Sequence, residues 1–388
     1  MNLAARVTVF LAIAAAGCSS SPSQLPGEET VWGDTNVLEE LRIGMDRGPD
    51  EYRLGEVCGM AVGADGTIYV CDRPPRSIRI YAADGSFIGR AGGPGQGPGE
   101  YQSPPAPRVL SDGRLAVWDA RNRRISFFSH DGEYQSSVRA DGSFGGSGTF
   151  QVDRDDNLYV KARSGRDGVV EDELRKYSLD GQRLGAIPLP GEDPSGRSFV
   201  LAYEGYVRPF TVMTLFAWNP AGFLAVGRND RYDVELRKPS GSVHLTRALD
   251  PIRLEAEELE EWNAFRDRSE QRSRDRGSKF LPGPIPAQKP FFREIHGAED
   301  GRTWVFRYVR AEERADVEPI PGDPDRPLLT WREPPTYDVF ETDGSFLGTV
   351  VLPVGFRPYV FRAMHVWGAS MDDAGVERVL RLRVVPEG

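Results

Sequence analysis

Four histidines, three cysteines and 58 carboxylates bound the chemistry open to this chain. A catalytic metal would have to be held by imidazole, carboxylate or amide groups, because zinc takes nitrogen and sulfur while calcium takes several oxygens. Glu294, His296 and His365 fall on runs that read as interior-lining strands, which makes them the candidate ligands for calcium or zinc. His130 follows a strand, and His244 falls near the edge of one. A lone strand histidine is more often packed or hydrogen-bonded than ligating. A calcium site would need further inner carboxylates, and Glu294 has no obvious companion. There is no Gly-x-Ser-x-Gly elbow, no His-Glu-x-x-His and no phosphate loop. GGPGQGPGEY (Gly92–Tyr101) is glycine-rich but lacks the Lys and Ser/Thr that a phosphate loop needs. No cofactor is expected, and calcium or zinc enters only if the chain is a hydrolase or lyase after all.

What positions these residues is a repeat. VCGMAVGADGTIYVCDRPPRSIRIYAADGSFIG is followed by PRVLSDGRLAVWDARNRRISFFSHDGEYQSS. Asp65-Gly66 maps to Asp112-Gly113, Asp72 to Asp119 and Asp84-Gly85 to Asp131-Gly132, a constant displacement of 47 residues. Short β-branched and aromatic runs between Asp-Gly turns, at a period in the forties, are the signature of propeller blades. Gly supplies the positive φ that a tight turn needs. Further blades read at about 148–190, 208–248, 291–352 and 358–385, with an insertion at Gly165–Glu173 in the third. The sixth blade has no outer strand of its own, and Val37–Gly44 can supply it. The expected fold is therefore all-β, a six-bladed propeller closed by strands from both termini. Closure of that kind removes the open sheet edge that invites aggregation.

One segment breaks the pattern. Residues 254–276 read as a helix, acidic in its first half and arginine-rich in its second, an order that complements the helix dipole. Leu259, Trp262 and Phe265 give it a narrow apolar edge, and Gly277 suits its C-cap. A Pro-rich return follows at Phe280–Pro290. As an interruption of a regular architecture, the helix is a candidate partner surface centred on Trp262.

The N-terminus carries an address. Arg6, the apolar run Val7–Ala16 and Gly17-Cys18 form an export signal too short to span a bilayer. Residues 1–17 read as the leader, 18–30 as a Ser/Pro-rich flexible tether and 31–388 as the propeller. Ala15-Ala16-Gly17-Cys18 resembles a bacterial lipobox. That resemblance implies a diacylated Cys18 at the mature N-terminus and, with Ser19 next, permits transfer to the outer membrane, at its periplasmic face or at the cell surface. The expected membrane contact is through this lipid only. A net charge of -10 argues against nucleic acid, which calls for a positive footprint.

Asp72 and Asp119 close second strands, and their expected role is architectural: accepting backbone N–H groups or pairing with the arginine four positions on. Arg73, Arg76, Arg121 and Arg123, with Trp118, form a candidate binding patch at one end of adjacent blades. Cys58 and Cys71 lie on the first two strands of blade one. A two-residue loop at 65–66 would set Met60 opposite Cys71 and leave Cys58 diagonal to it, so a bridge needs a register adjustment. A disulfide and two buried thiols both remain open.

GTIYVCDRPPRSIRIYAADGSFIGRAGGPGQGPGEYQSP resembles an NHL-type repeat through Asp72, Arg76 and Ile78, with Asp119, Arg123 or Arg124 and Ile125 in the second copy. The whole chain is similar to bacterial six-bladed, TolB-like propeller lipoproteins. The resemblance implies the fold and the address. Propellers host lyases, lactonases, receptors and scaffolds alike, so it leaves the chemistry open. The expected function is non-catalytic binding of an envelope protein, peptide or glycan, with a metal-dependent propeller hydrolase or lyase as the alternative.

Overall fold

The computed structural model describes residues 32–74, 76–102, 106–142, 150–166, 169–190, 209–275, 277, 284–315, 317, 327–372 and 375–387. The leader 1–17, Cys18 and the tether 18–30 lie outside the described residues, as do Pro75, Pro282 and part of the Pro-rich insertion 311–334. Six four-stranded antiparallel sheets make six blades. Their innermost strands are Glu56–Val62, Ala106–Val109, Phe150–Val152, Thr214–Asn219, Phe292–Gly297 and Arg357–Arg362. Blades one to four are each a consecutive meander, and blade five is one interrupted between its second and third strands by the small pair Glu312–Glu313 and Trp331–Arg332. Blade six takes three strands from the C-terminus and its outermost strand, Asp34–Ile43, from the N-terminus, paired antiparallel with Glu377–Glu387. The ring is thus a six-bladed β-propeller closed by both termini.

Each blade has two apolar faces and must bury both. The buried residues accordingly fall into six clusters, one at every blade–blade interface. Trp304, Tyr337 and Val366 fill the junction of blades five and six, while Tyr159, Leu174 and Trp218 fill that of three and four.

The Asp-Gly turns are longer than a two-residue loop. Gly63 N donates to Thr67 O at 2.7 Å and Gly66 N to Gly63 O at 3.0 Å, closing a five-residue turn with Gly66 at φ +88°. The Asp65 carboxylate accepts from Thr67 N at 3.0 Å. Blade two repeats the arrangement, with Arg114 N donating to Asp112. In blade three Asp156 takes the glycine's place at φ +58°. The longer turn moves the register by one: Val62 opposes Ile68, Met60 opposes Val70 and Gly59 opposes Cys71. Cys58 is left as the extra residue of a β-bulge between Val57 and Gly59. The bulge is the adjustment a bridge requires, and Cys58 and Cys71 are joined by a disulfide with Cα atoms 5.2 Å apart. The bond closes a loop of sequence separation 13, for which loop-closure entropy gives about 3 kcal/mol. Denaturant unfolding with and without reductant is expected to differ by roughly 2–3 kcal/mol, and Cys71→Ala should abolish the difference.

Two further segments differ from expectation. Within the insertion at 165–173 of blade three, the described residues continue one hairpin: Leu158–Arg166 pairs with Val169–Tyr177 up to the Arg166–Val169 pair. In blade six the inner strand ends at Arg362, and a tight turn with Ala363 at φ +51° makes His365 the first residue of the second strand. His365 therefore does not lie on an inner strand.

Helix α1 (Ala256–Asp275) docks over the strand-entry end of blades four and five. Trp262 packs edge-on against Phe210 with ring centroids 5.5 Å apart. Charged groups add further contacts. The fully buried Lys289 ammonium lies 2.7 Å from Glu258 of the helix and 2.6 Å from Glu333 of the blade-five insertion. Glu261 accepts from Thr330 N at 2.7 Å, tying the helix to that insertion a second time.

Candidate functional site: the axial channel

The inner strands of all six blades enclose an axial cavity of about 910 Å³. It reaches the end of the ring that carries the Asp-Gly turns, since Ala64, Ser111, Asp156, Pro220 and Asp300 all line it. Within each blade the residue two positions before the first turn stands at one level. That level holds Ala61, Arg108, Gln151, Ala217 and His296 in blades one to five, and all five line the cavity. Blades one and four are opposite in a ring of six, so two alanines leave room across the channel. Arg108 and Gln151 form one wall of the resulting slot, and His296, with Phe361 of blade six beside it at 5.0 Å, forms the other. Phe216 and Trp218 lie at the blade-four end.

Charge in the slot is balanced from opposite blades. Arg108 donates to Gln151 Oε1 at 3.1 Å and to Pro107 O at 2.7 Å. Burial pushes its guanidinium down to about 10, with the Glu299 carboxylate across the channel pulling the other way. Burial likewise raises Glu299 above the usual carboxylate value, against the opposing pull of Arg362 and Arg108. Arg362 pairs with Glu299 and also donates to Val62 O at 2.6 Å and Gly63 O at 2.8 Å, locking blade six to blade one. His296 Nε2 lies 3.1 Å from Glu294 Oε2. Burial opposes ionisation of Glu294, but His296 and Arg293 together hold it below the ordinary value.

The predicted metal trio is not assembled. Glu294 and His296 share the channel, whereas His365 sits on the blade-six wall, 3.1 Å from Glu40 of the N-terminal strand and beside Trp367. Among the described residues no group of three or more His, Cys, Asp or Glu side chains is placed to hold a metal ion. His244 pairs with Asp233 on the outer part of blade four.

The predicted arginine patch is at the opposite end of the ring and is divided. Arg73 and Arg76 border a cleft of about 370 Å³ with Glu56, Pro74 and Pro94, and Arg73 is paired with Glu56. Arg121 and Arg123 are exposed on the neighbouring turn and do not line it. Trp118 is 1% exposed and belongs to the junction of blades two and three, because its strand buries both faces. Trp262 is half-buried against Phe210.

Asp72 and Asp119 are both fully buried and architectural. Asp72 accepts from Gly55 N and Asp119 from Gln102 N, both at 2.8 Å and both 17 residues upstream, so each ties the chain entering its blade. The arginine partner of Asp72 is Arg79, not Arg76, because Arg79 lies on the next strand and points back. Arg108, Gln151, Glu299 and Arg362 are the channel residues that motif reasoning passes over. The signal was available as a position relative to each first turn, but these residues differ from blade to blade and so leave no repeated motif.

A family model described as a six-bladed β-propeller, DUF5128, matches residues 49–179, the first two blades and most of the third. No curated protein matches the sequence. Among solved structures, BF0058 of Bacteroides fragilis is similar at 10% identity over 90% of this chain and 95% of that one, with a TM-score of 0.49. A DUF4221 family member from Bacteroides vulgatus aligns at 10% identity over 91% and 99%, with a TM-score of 0.46. Virginiamycin B lyase from Staphylococcus aureus aligns at 11% identity over 90% and 99%, with a TM-score of 0.42.

Proposed function

We propose that this propeller is a lipid-anchored binding module of the bacterial envelope that takes a peptide or glycan segment into its axial slot. The observation that carries this reading is the slot itself. Its volume of about 910 Å³ is of the size that binds extended small ligands, and hydrogen-bonding groups on two walls flank the partly exposed Phe216, with Trp218 and Phe361 packed into the blade junctions at its edge. Aromatic faces with fixed polar groups suit sugar rings and peptide units equally. Export is supported by the leader-like N-terminus and by the Cys58–Cys71 disulfide, a bond that persists in oxidising compartments. Peptide and oligosaccharide panels titrated onto residues 31–388 test the reading against Ala217→Trp, which fills the slot from blade four. Binding that vanishes in the variant while its melt is unchanged supports it. Binding that survives the filled slot, or none from either panel, overturns it.

The Glu294–His296 pair favours one second reading, a channel hydrolase or lyase with a metal on those two groups. Elemental analysis of the purified domain with and without chelator separates the two. Stoichiometric calcium or zinc that raises the melting temperature would move the assignment to the enzyme.

A further inference from the structure

The chain enters the ring at the same end as the channel mouth. Asp34 pairs with Glu387 and Ile43 with Val379, while His365, just after the first turn of blade six, pairs with Arg383. Asp34 therefore lies at the turn end and Ile43 at the other. Trp32 is fixed at that end: its N–H donates to Leu347 O at 2.9 Å, and the Arg302 guanidinium lies 5.5 Å over its ring. Leu347 and Arg302 each follow an Asp-Gly turn of blade five closely. The same end is strongly acidic. Turns 63–67, 82–86, 110–114, 129–133, 153–157, 178–182, 219–222, 238–241, 298–302, 341–345 and 362–365 carry thirteen carboxylates against four arginines and one lysine.

We propose that the turn end, with its channel mouth, faces the lipid surface to which the chain is tethered, and that like charge holds it at a short distance from an anionic leaflet. The inference rests on lipid attachment at Cys18. Thirteen residues lie between Cys18 and Trp32, and a flexible linker of that many residues would span roughly 20 Å. Strand Asp34–Ile43 alone covers roughly 33 Å of the outer wall at about 3.3 Å per residue. Presenting the opposite end to the lipid would require the tether to run back along that wall, beyond its relaxed reach. Tether geometry therefore sets the orientation. Charge acts second, because repulsion between the acidic turns and anionic headgroups decays over about 8 Å at physiological salt. It is largely screened at the tether's relaxed length, so it fixes a separation and does not turn the ring over. The ligands within reach of the slot are then those presented from the membrane side.

The test uses the full acylated chain in phosphatidylcholine–phosphatidylglycerol vesicles carrying a headgroup acceptor dye. A donor is attached at His130→Cys, at the turn end, or at Arg47→Cys, whose native side chain is 95% exposed at the opposite end. The native cysteines do not compete, since Cys58 and Cys71 are bridged and Cys18 carries the lipid. Energy transfer is expected to be at least about twofold higher from position 130, given the length of wall between the two. It should rise further between about 0.05 M and about 0.5 M salt as the repulsion is screened. Equal or reversed transfer overturns the orientation, and transfer from position 130 that ignores salt overturns the charge-held separation. The mass of the N-terminal fragment is read in parallel. A chain without the diacyl group would sink the lipoprotein reading and this inference with it, whereas an acylated chain with equal transfer sinks the orientation alone.

Discussion

Lys289→Met is expected to free helix α1 and destabilise the protein by about 3–5 kcal/mol, the usual consequence of removing one partner from a buried ion cluster. Lys289 has no exposed side-chain surface and stands between Glu258, 3% exposed, and Glu333, 9% exposed. Burial lowers the ammonium's pKa while Glu258 opposes the shift. Taking the lysine away leaves Glu258 desolvated without its ion-pair partner, whereas Glu333 still has Arg293. The Trp262–Phe210 ring pair is a small apolar contact beside this buried cluster. Two measurements check this. The melting temperature should fall, and trypsin should cut between Arg266 and Arg274 far faster than in the parent. Lys289→Met combined with Glu258→Met should recover most of the loss, because a paired set replaced by apolar groups of similar size is close to neutral. If the single variant melts normally and resists trypsin, the helix is held by something other than this cluster.

Removal of residues 32–43 should have a still larger effect. The deletion strips Trp32 and Ile43, 7% and 2% exposed, from two blade junctions. Burial of two such side chains stabilises by roughly 5 kcal/mol. It also leaves the strand Glu377–Glu387 as a long unpaired edge, the feature that templates association between chains. The truncated chain is expected to elute as oligomers or to be lost from the soluble fraction. A synthetic DTNVLEELRI peptide added during refolding should restore a monomer. A truncated chain that stays monomeric with an unchanged melt would mean that the ring does not depend on this closure.

The fold was largely legible because its punctuation is chemical. Asp-Gly at a constant displacement marks turns whatever the intervening residues do, and Val37–Gly44 was recognisable as a strand without a local partner. Register was not legible to the residue. Asp-Gly tells where a turn falls but not how many residues its hydrogen bonds enclose, and the Gly63–Thr67 closure moved the pairs from Val62–Ile68 to Gly59–Cys71 by one. The Cys58 bulge added a second shift that no residue type announces. His365 was misplaced for a related reason: a non-glycine residue at positive φ, Ala363, makes a turn that leaves no mark in the sequence. The helix was visible but its docking was not. Glu258 reads as one of several acidic residues suited to a helix start, and only the fold brings Lys289 beneath it.

The closing strand also dictates an order of events. Glu40 reaches Arg383, a partner 343 residues away in the chain, and Thr35 reaches Thr349 across 314. The disulfide of blade one spans only 13. A chain emerging N-terminus first can complete its first blades, and oxidise Cys58 and Cys71, while its earliest segment still has nothing to pair with. Local contacts of this kind form quickly, and the most distant pairing waits for the rest. Strand Asp34–Ile43 is made before every other strand of the ring and is the last put in place, so the time between its appearance and the arrival of Glu377–Glu387 is when the nascent ring most needs a chaperone.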